Sequence, residues 1–96
     1  MEQSHIFNKI KNSRIALHEE LVIEKTENLW IALNLSNSKF YELNNTLYEI
    51  LSSAKDKISY QLLLKKFKIS YKKFEEKELL NALSDLIDEG LIKLHD

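Results

Sequence analysis

The side chains with the best claim to chemistry in this chain are three histidines, two serines and one adjacent pair of carboxylates. His5, His18 and His95 are scattered through the sequence. No spacing among them converges on a metal, and a zinc site needs three or four ligands meeting at one point. Ser59 and Ser70 would be nucleophiles only beside an activating base. No histidine or acid is placed to serve them, so both read as caps. Asp88 and Glu89 sit next to Gly90 at a helix end, where neighbours in sequence point apart. The chain is therefore read as a non-enzyme, with no metal and no cofactor.

The remaining chemistry belongs to the main chain. Two alternating runs, Glu20–Glu24 and Leu29–Leu35, are joined by the polar turn Lys25–Asn28. A third run, Ser38–Leu43, follows the turn Ser36-Asn37-Ser38 and passes directly into a helix start at Asn44/Asn45. Period-two alternation with β-branched and aromatic residues predicts a three-stranded antiparallel meander. Leu29, Ile31, Leu33 and Leu35 would form the buried face of its middle strand. Trp30 would lie on the outer face, packed against the N-terminal segment or touching a partner enzyme. Tyr41 and Leu43 share one face of the third strand and Phe40 takes the other. No fourth strand follows, so the N–H and C=O groups along Ser38–Leu43 are left unpaired. Such an edge either invites aggregation or serves as a docking site for an extended peptide.

Composition narrows the classes. Ninety-six residues, 44% hydrophobic and 30% charged, suit one ordinary folded domain, too small for the walled pocket of most enzymes. The net charge of −1 lacks the basic excess of a dedicated nucleic-acid binder. No cysteine is present, which excludes disulfides and thiolate metal sites and suits the cytoplasm. With one glycine and no proline, phosphate-loop and dinucleotide fingerprints are absent. No apolar run reaches the 18 or so residues of a membrane span, and no signal-peptide core opens the chain.

Beyond Leu43 the period becomes helical. Leu47, Ile50, Leu51 and Ala54 share a face of a first helix that Lys55-Asp56-Lys57 ends. Ser59 caps a second helix, stapled by Ile58 and Leu63, with Leu62, Leu63 and Phe67 turned inward. A link near Lys68–Lys73 leads to a third helix, roughly Phe74–Glu89, with Leu79, Leu80, Leu83, Leu86 and Ile87 as its buried stripe. Gly90 fits the left-handed closing position, and Leu91–Leu94 returns as an extended tail. Residues 1–19 read as a partly ordered N-terminal extension. Ile6, Phe7 and Ile10 would share a face if helical, and Arg14–Leu17 could be extended. Residues 20–96 form the single domain. The expected class is α+β: a three-stranded antiparallel sheet followed by a three-helix bundle, winged-helix-like in outline.

The junction Phe40-Tyr41-Glu42-Leu43-Asn44, followed by Thr46, Ile50 and Leu51, resembles that of PqqD-like proteins. The closing pattern Leu83-x-x-Leu86-Ile87-x-x-Gly90-Leu91-Ile92 is similar to that family's last helix. These are the RiPP recognition elements, peptide-binding domains of pathways that modify ribosomally made peptides, bacteriocin or lasso-peptide maturation among them. The resemblance spans about Leu21–Leu94. It departs at Lys55-Asp56-Lys57, where a glycine is common. It implies that a precursor's leader segment adds as an antiparallel strand to the third strand, in a groove against the third helix. Carried onto this sequence, the site comprises Ser38, Lys39, Phe40, Tyr41, Glu42 and Leu43 on the strand. Lys73, Glu76, Lys77, Leu79, Leu80 and Leu83 form the helix wall. Lys39, Lys72, Lys73 and Lys77 would attract an acidic leader. The implied partners are a precursor peptide and a separate modifying enzyme or leader protease, with no nucleic acid and no membrane. Exposed edges offer a homodimer contact when no leader is bound.

Energetics sets a condition on that site. Pairing one short strand gives roughly three to six main-chain hydrogen bonds worth about 0.5–1.5 kcal/mol each. Ordering the visiting residues costs about 1–2 kcal/mol apiece. Backbone pairing breaks even at best, so apolar pockets for leader side chains must supply the affinity. Tyr41→Pro is then expected to remove an edge donor. Two other readings compete. A winged-helix DNA-binding regulator would use Lys65, Lys66 and Lys68 on the second helix, and a non-catalytic structural subunit would pair its edge with a partner's sheet.

Overall fold

The alternating runs fold into the expected meander. The computed structural model describes residues 2–95, so residues 1 and 96 of the two segments named above lie outside it. Its elements are α1 (Glu2–Lys11), β1 (Arg14–Leu17), β2 (Leu21–Lys25), β3 (Trp30–Asn34), β4 (Lys39–Leu43), α2 (Asn45–Ala54), β5 (Ile58–Ser59), α3 (Tyr60–Ser70), α4 (Glu76–Asp88) and β6 (Ile92–His95). One antiparallel sheet has the order β2-β3-β4, with Leu21 opposite Asn34 and Trp30 opposite Leu43. Its second turn is built by side chains that bond their own backbone. Asn34 Oδ1 accepts from the Ser36 N–H at 2.9 Å, and Asn37 Oδ1 accepts from the Lys39 N–H at 2.9 Å. Ser38 takes a positive φ of 59° there, so it belongs to the turn and the strand begins at Lys39.

The expected fold class is corrected by the rest of the chain. A second three-stranded antiparallel sheet has the order β5-β1-β6, and the described residues form four helices instead of three. Its central strand comes from the residues read as an N-terminal extension: Ile15 stands opposite both Ile58 and Leu94. The tail Leu91–Leu94 is thus a paired strand. Ahead of β1, α1 packs against α3 and α4 through Ile10, which is fully buried, with Ile6 and Phe7 half-buried beside it. A sheet followed by a three-helix bundle leaves β1 and α1 unaccounted for. These residues complete the core.

Local chemistry fixes the helix ends. Asn44 Oδ1 accepts from the Leu47 N–H at 2.8 Å, and Ser59 Oγ accepts from the Leu62 N–H at 3.2 Å. The staple pair Ile58 and Leu63 is buried on both sides, whereas Leu62 is exposed and Leu64 takes the inward place expected for it. At the end of α4, the Gly90 N–H donates to Ile87 O at 3.0 Å and the Leu91 N–H to Leu86 O at 2.9 Å. This is the Schellman pattern, with Gly90 at φ 75°. It turns Leu91 and Ile92 into the core, where both are buried. A Cβ at Gly90 would meet nothing within 4 Å, so only backbone strain opposes a side chain. Gly90→Ala should cost about 1 kcal/mol. Thermal unfolding should show this as a fall of about 4–8 °C.

The two faces of the meander are assigned differently from the leucine pattern. Ala32 and Asn34 are buried on β3, while Leu29 and Leu35 are exposed. Trp30 packs inward, stacked on Tyr48 of α2 with ring centroids 3.8 Å apart, and the Lys25 ammonium lies 5.2 Å from its ring centroid. Its neighbour is α2 rather than the N-terminal segment. The outer face keeps half-buried Ile31 and Leu33 around a depression of about 310 Å³ that Phe40, 68% exposed, also lines.

Candidate peptide-binding cleft

Strand β4 pairs with β3 on one side, and no other described strand covers its second side. Its hydrogen-bond phase follows from the neighbouring ladder. The Leu35 N–H donates to Glu20 O at 2.9 Å and the Thr26 N–H to Leu29 O at 2.8 Å. In an antiparallel pair the bonded positions alternate along a strand. Leu29, Ile31, Leu33 and Leu35 therefore turn their amide groups toward β2, and Trp30, Ala32 and Asn34 turn theirs toward β4. By the register, Lys39, Tyr41 and Leu43 answer them. The N–H and C=O groups of Phe40 and Glu42 are left facing outward. Tyr41→Pro would thus strike a bond inside the sheet and disrupt the hairpin; the edge donors belong to Phe40 and Glu42.

Beside this edge runs a cleft of about 430 Å³. Tyr41, Glu42, Leu43, Asn44, Thr46 and Leu47 line one side, and Ala82, Asp85, Leu86, Glu89 and Leu91 the other. Ala82, Asp85, Leu86 and Glu89 recur at helical spacing on one face of α4. Burial pushes the Tyr41 hydroxyl above the usual tyrosine range, and the negative charge of the nearby Glu89 carboxylate raises it further. Tyr41 and Glu89 thus face each other across the cleft from strand and helix. Thr46 also lines a second cavity of about 390 Å³ with Phe67, Ser70, Tyr71, Lys72, Lys73, Phe74 and Glu78. Its aromatic wall is cohesive, since Phe67 and Phe74 meet edge-on at 5.3 Å. Burial, then Glu49, raises the Tyr71 hydroxyl, while a hydrogen bond with Thr46 lowers it.

The residues expected at the site are divided by the structure. Lys39, Phe40 and Glu42 are exposed along β4, Tyr41 is half-buried, and Leu43 is buried where it meets the cleft. The helix wall lies elsewhere than expected. Leu79, Leu80 and Leu83 are core residues, with Leu79 and Leu83 at 0% exposure, and present no surface to a visitor. Glu76 accepts a hydrogen bond from the Tyr60 hydroxyl at 2.7 Å; burial first and Glu76 second hold that hydroxyl far above its ordinary range. Lys77 is exposed, and Lys73 lines the second cavity. The wall is instead the stripe one step around the helix, Ala82–Asp85–Glu89. The sequence does carry a signal for it, since Ala82 is the one small apolar residue within that polar stripe and leaves room beside the strand.

Charge is unevenly placed. None of the residues lining the cleft is basic, whereas Glu42, Asp85 and Glu89 are acidic. The last turn of α4 also carries no basic residue. Carboxylates there face the negative end of the helix dipole, which disfavours each by about 0.3–1 kcal/mol. Lys93 forms an ion pair with Glu19 at 2.8 Å, which ties β6 to the turn after β1 and holds the Glu19 carboxyl below the usual range.

Comparison with family models, with curated proteins and with solved structures finds no match to this chain. Among the described residues no cluster of three or more histidine or acidic side chains is placed to hold a metal ion. No described helix is long and apolar enough to cross a membrane.

Proposed function

We propose that this chain is a cytoplasmic, non-catalytic peptide-capture protein. It takes up the leader of a ribosomally made precursor by strand addition to β4 and presents it to a separate modifying enzyme or leader protease. The observation carrying this reading is the open edge at Phe40 and Glu42 bordering a cleft whose walls include Tyr41, Leu43, Leu47, Ala82, Leu86 and Leu91. Edge amides supply register, and the apolar walls supply the side-chain burial that backbone pairing cannot. The resemblance of Phe40–Leu51 to the PqqD-like junction supports the same reading. Tethering raises the effective concentration of the rest of the precursor at the catalytic partner. The duplex-DNA reading, which would use Lys65, Lys66 and Lys68 on α3, is less favoured, because Lys66 is bonded to Ser53 Oγ at 3.2 Å and the chain's net charge of −1 lacks the basic excess that phosphate binding needs.

The test starts from the genes beside the one encoding this chain, where a short precursor reading frame next to a maturation enzyme supplies the peptide. Titrating 15N-labelled protein with that leader should first shift the amides of Phe40 and Glu42, followed by Ala82–Glu89. Shifts confined to α3, or none with any leader so identified, would overturn the proposal.

A further inference from the structure

We infer that the strand received by β4 is cationic, with lysine or arginine side chains at positions that meet Asp85, Glu89 and Glu42. This rests on the capture reading above and names the chemistry of its occupant. Three observations lead to it. The cleft lining holds three acidic residues and no basic one. The last turn of α4 stacks Asp85 and Asp88 at the negative pole of the helix, with no basic residue to answer them. Of the four lysines expected to draw an acidic leader, Lys39 sits on the first residue of β4, outside the cleft lining, Lys72 and Lys73 line the cavity beyond Thr46, and Lys77 is out in solvent.

The geometry assigns each face of the visitor. Side chains of an added strand alternate as those of β4 do. Those level with Tyr41 and Leu43 reach over the apolar floor toward Asp85 and Glu89. Those level with Phe40 fall beside Glu42. Lysine and arginine suit the inner positions, since their methylene stems cover apolar surface while their heads reach the carboxylates at the rim. A second copy of this chain is a poorer occupant. Joining two β4 edges through their outward amides would set Phe40 opposite Glu42 of the partner subunit and bring two acidic rims together.

Two fluorescein-labelled peptides of about ten residues decide the matter. Both use one leucine- and valine-rich strand scaffold, carrying three lysines in one and three glutamates in the other. By fluorescence anisotropy in dilute buffer, the lysine probe should bind at least about tenfold tighter. The gap should close near 0.5 M salt, where screening shortens the reach of charge to a few ångströms. Glu42→Lys with Asp85→Lys should invert the preference. The second substitution favours the helix end, so the variant should fold. Equal affinities, or a tighter glutamate probe, would overturn the charge inference and leave strand capture standing. Binding of neither probe, with the natural leader also silent in the amide titration, would overturn both. Self-association that blocks the lysine probe, seen by sedimentation, would replace the peptide with a second copy.

Discussion

Phe40→Pro should abolish most leader capture, while Phe40→Ala should reduce it no more than about tenfold. Both substitutions remove an aromatic ring that is 68% exposed. Only proline removes the main-chain N–H, and its ring occupies the space where the visitor's carbonyl would approach. The loss combines one net hydrogen bond with a carbonyl left unsatisfied in a half-closed cleft. Together these amount to about 2–4 kcal/mol, or roughly 30- to 1,000-fold in Kd. The native fold should survive, because the Phe40 N–H points away from β3 and edge positions of this kind tolerate proline. Far-UV circular dichroism and a melting curve close to the parent's would establish that, and anisotropy with the leader peptide would give the affinity. A folded Phe40→Pro variant that binds like Phe40→Ala would sink strand addition. Tyr41→Pro should fail differently, by unfolding the hairpin.

Removal of residues 1–17 should abolish cooperative unfolding altogether. That segment contributes Ile10 and Ile15, both at 0% exposure, and half-buried Ile6, Phe7 and Leu17. Truncating one buried isoleucine costs about 2–5 kcal/mol. Two such losses rival the whole stability of a small domain, about 5–15 kcal/mol. The deletion also strips β5 and β6 of the strand between them. The expected product has a broad, featureless thermal trace and exposes apolar surface to a reporter dye. The milder Ile15→Ala should remain folded and melt about 10–25 °C lower. A deletion protein that melts sharply near the parent's temperature would show the segment to be a dispensable appendage.

Features written in short-range chemistry were legible in the sequence. The meander, the Asn44 and Ser59 caps, the Ile58–Leu63 staple and the turn at Gly90 each depend on residues a few positions apart. The second sheet depends on distant ones. In β1 only Ile15 is fully buried, too short a signal for a period, and β5 is two residues that also read as the start of a helix. The facing of β3 was obscured because both of its faces are apolar. Trp30 was drawn inward by Tyr48, and Asn34 by its bonds to Ser36. At the cleft, β4 was correctly located as the outer strand, but its donors were not. Which amides face outward depends on pairing phase, which side-chain alternation does not report. The helix wall was misplaced because leucines at helical spacing mark what is buried, and a cleft is lined by what lies next to them.

The middle position of β1 has a consequence for synthesis. Arg14 aligns with His95 and Leu17 with Ile92, so during synthesis β1 waits for a partner that leaves the ribosome long after it. Until then β1 has the two residues of β5 as its strand partner, and the ring closed by this late pairing encloses every element between β1 and β6. Such closures are entropically costly and slow. The β2-β3-β4 hairpins, whose contacts are local, can assemble during translation. A nascent chain would then display β4, the strand proposed to receive a leader, before its own core has closed.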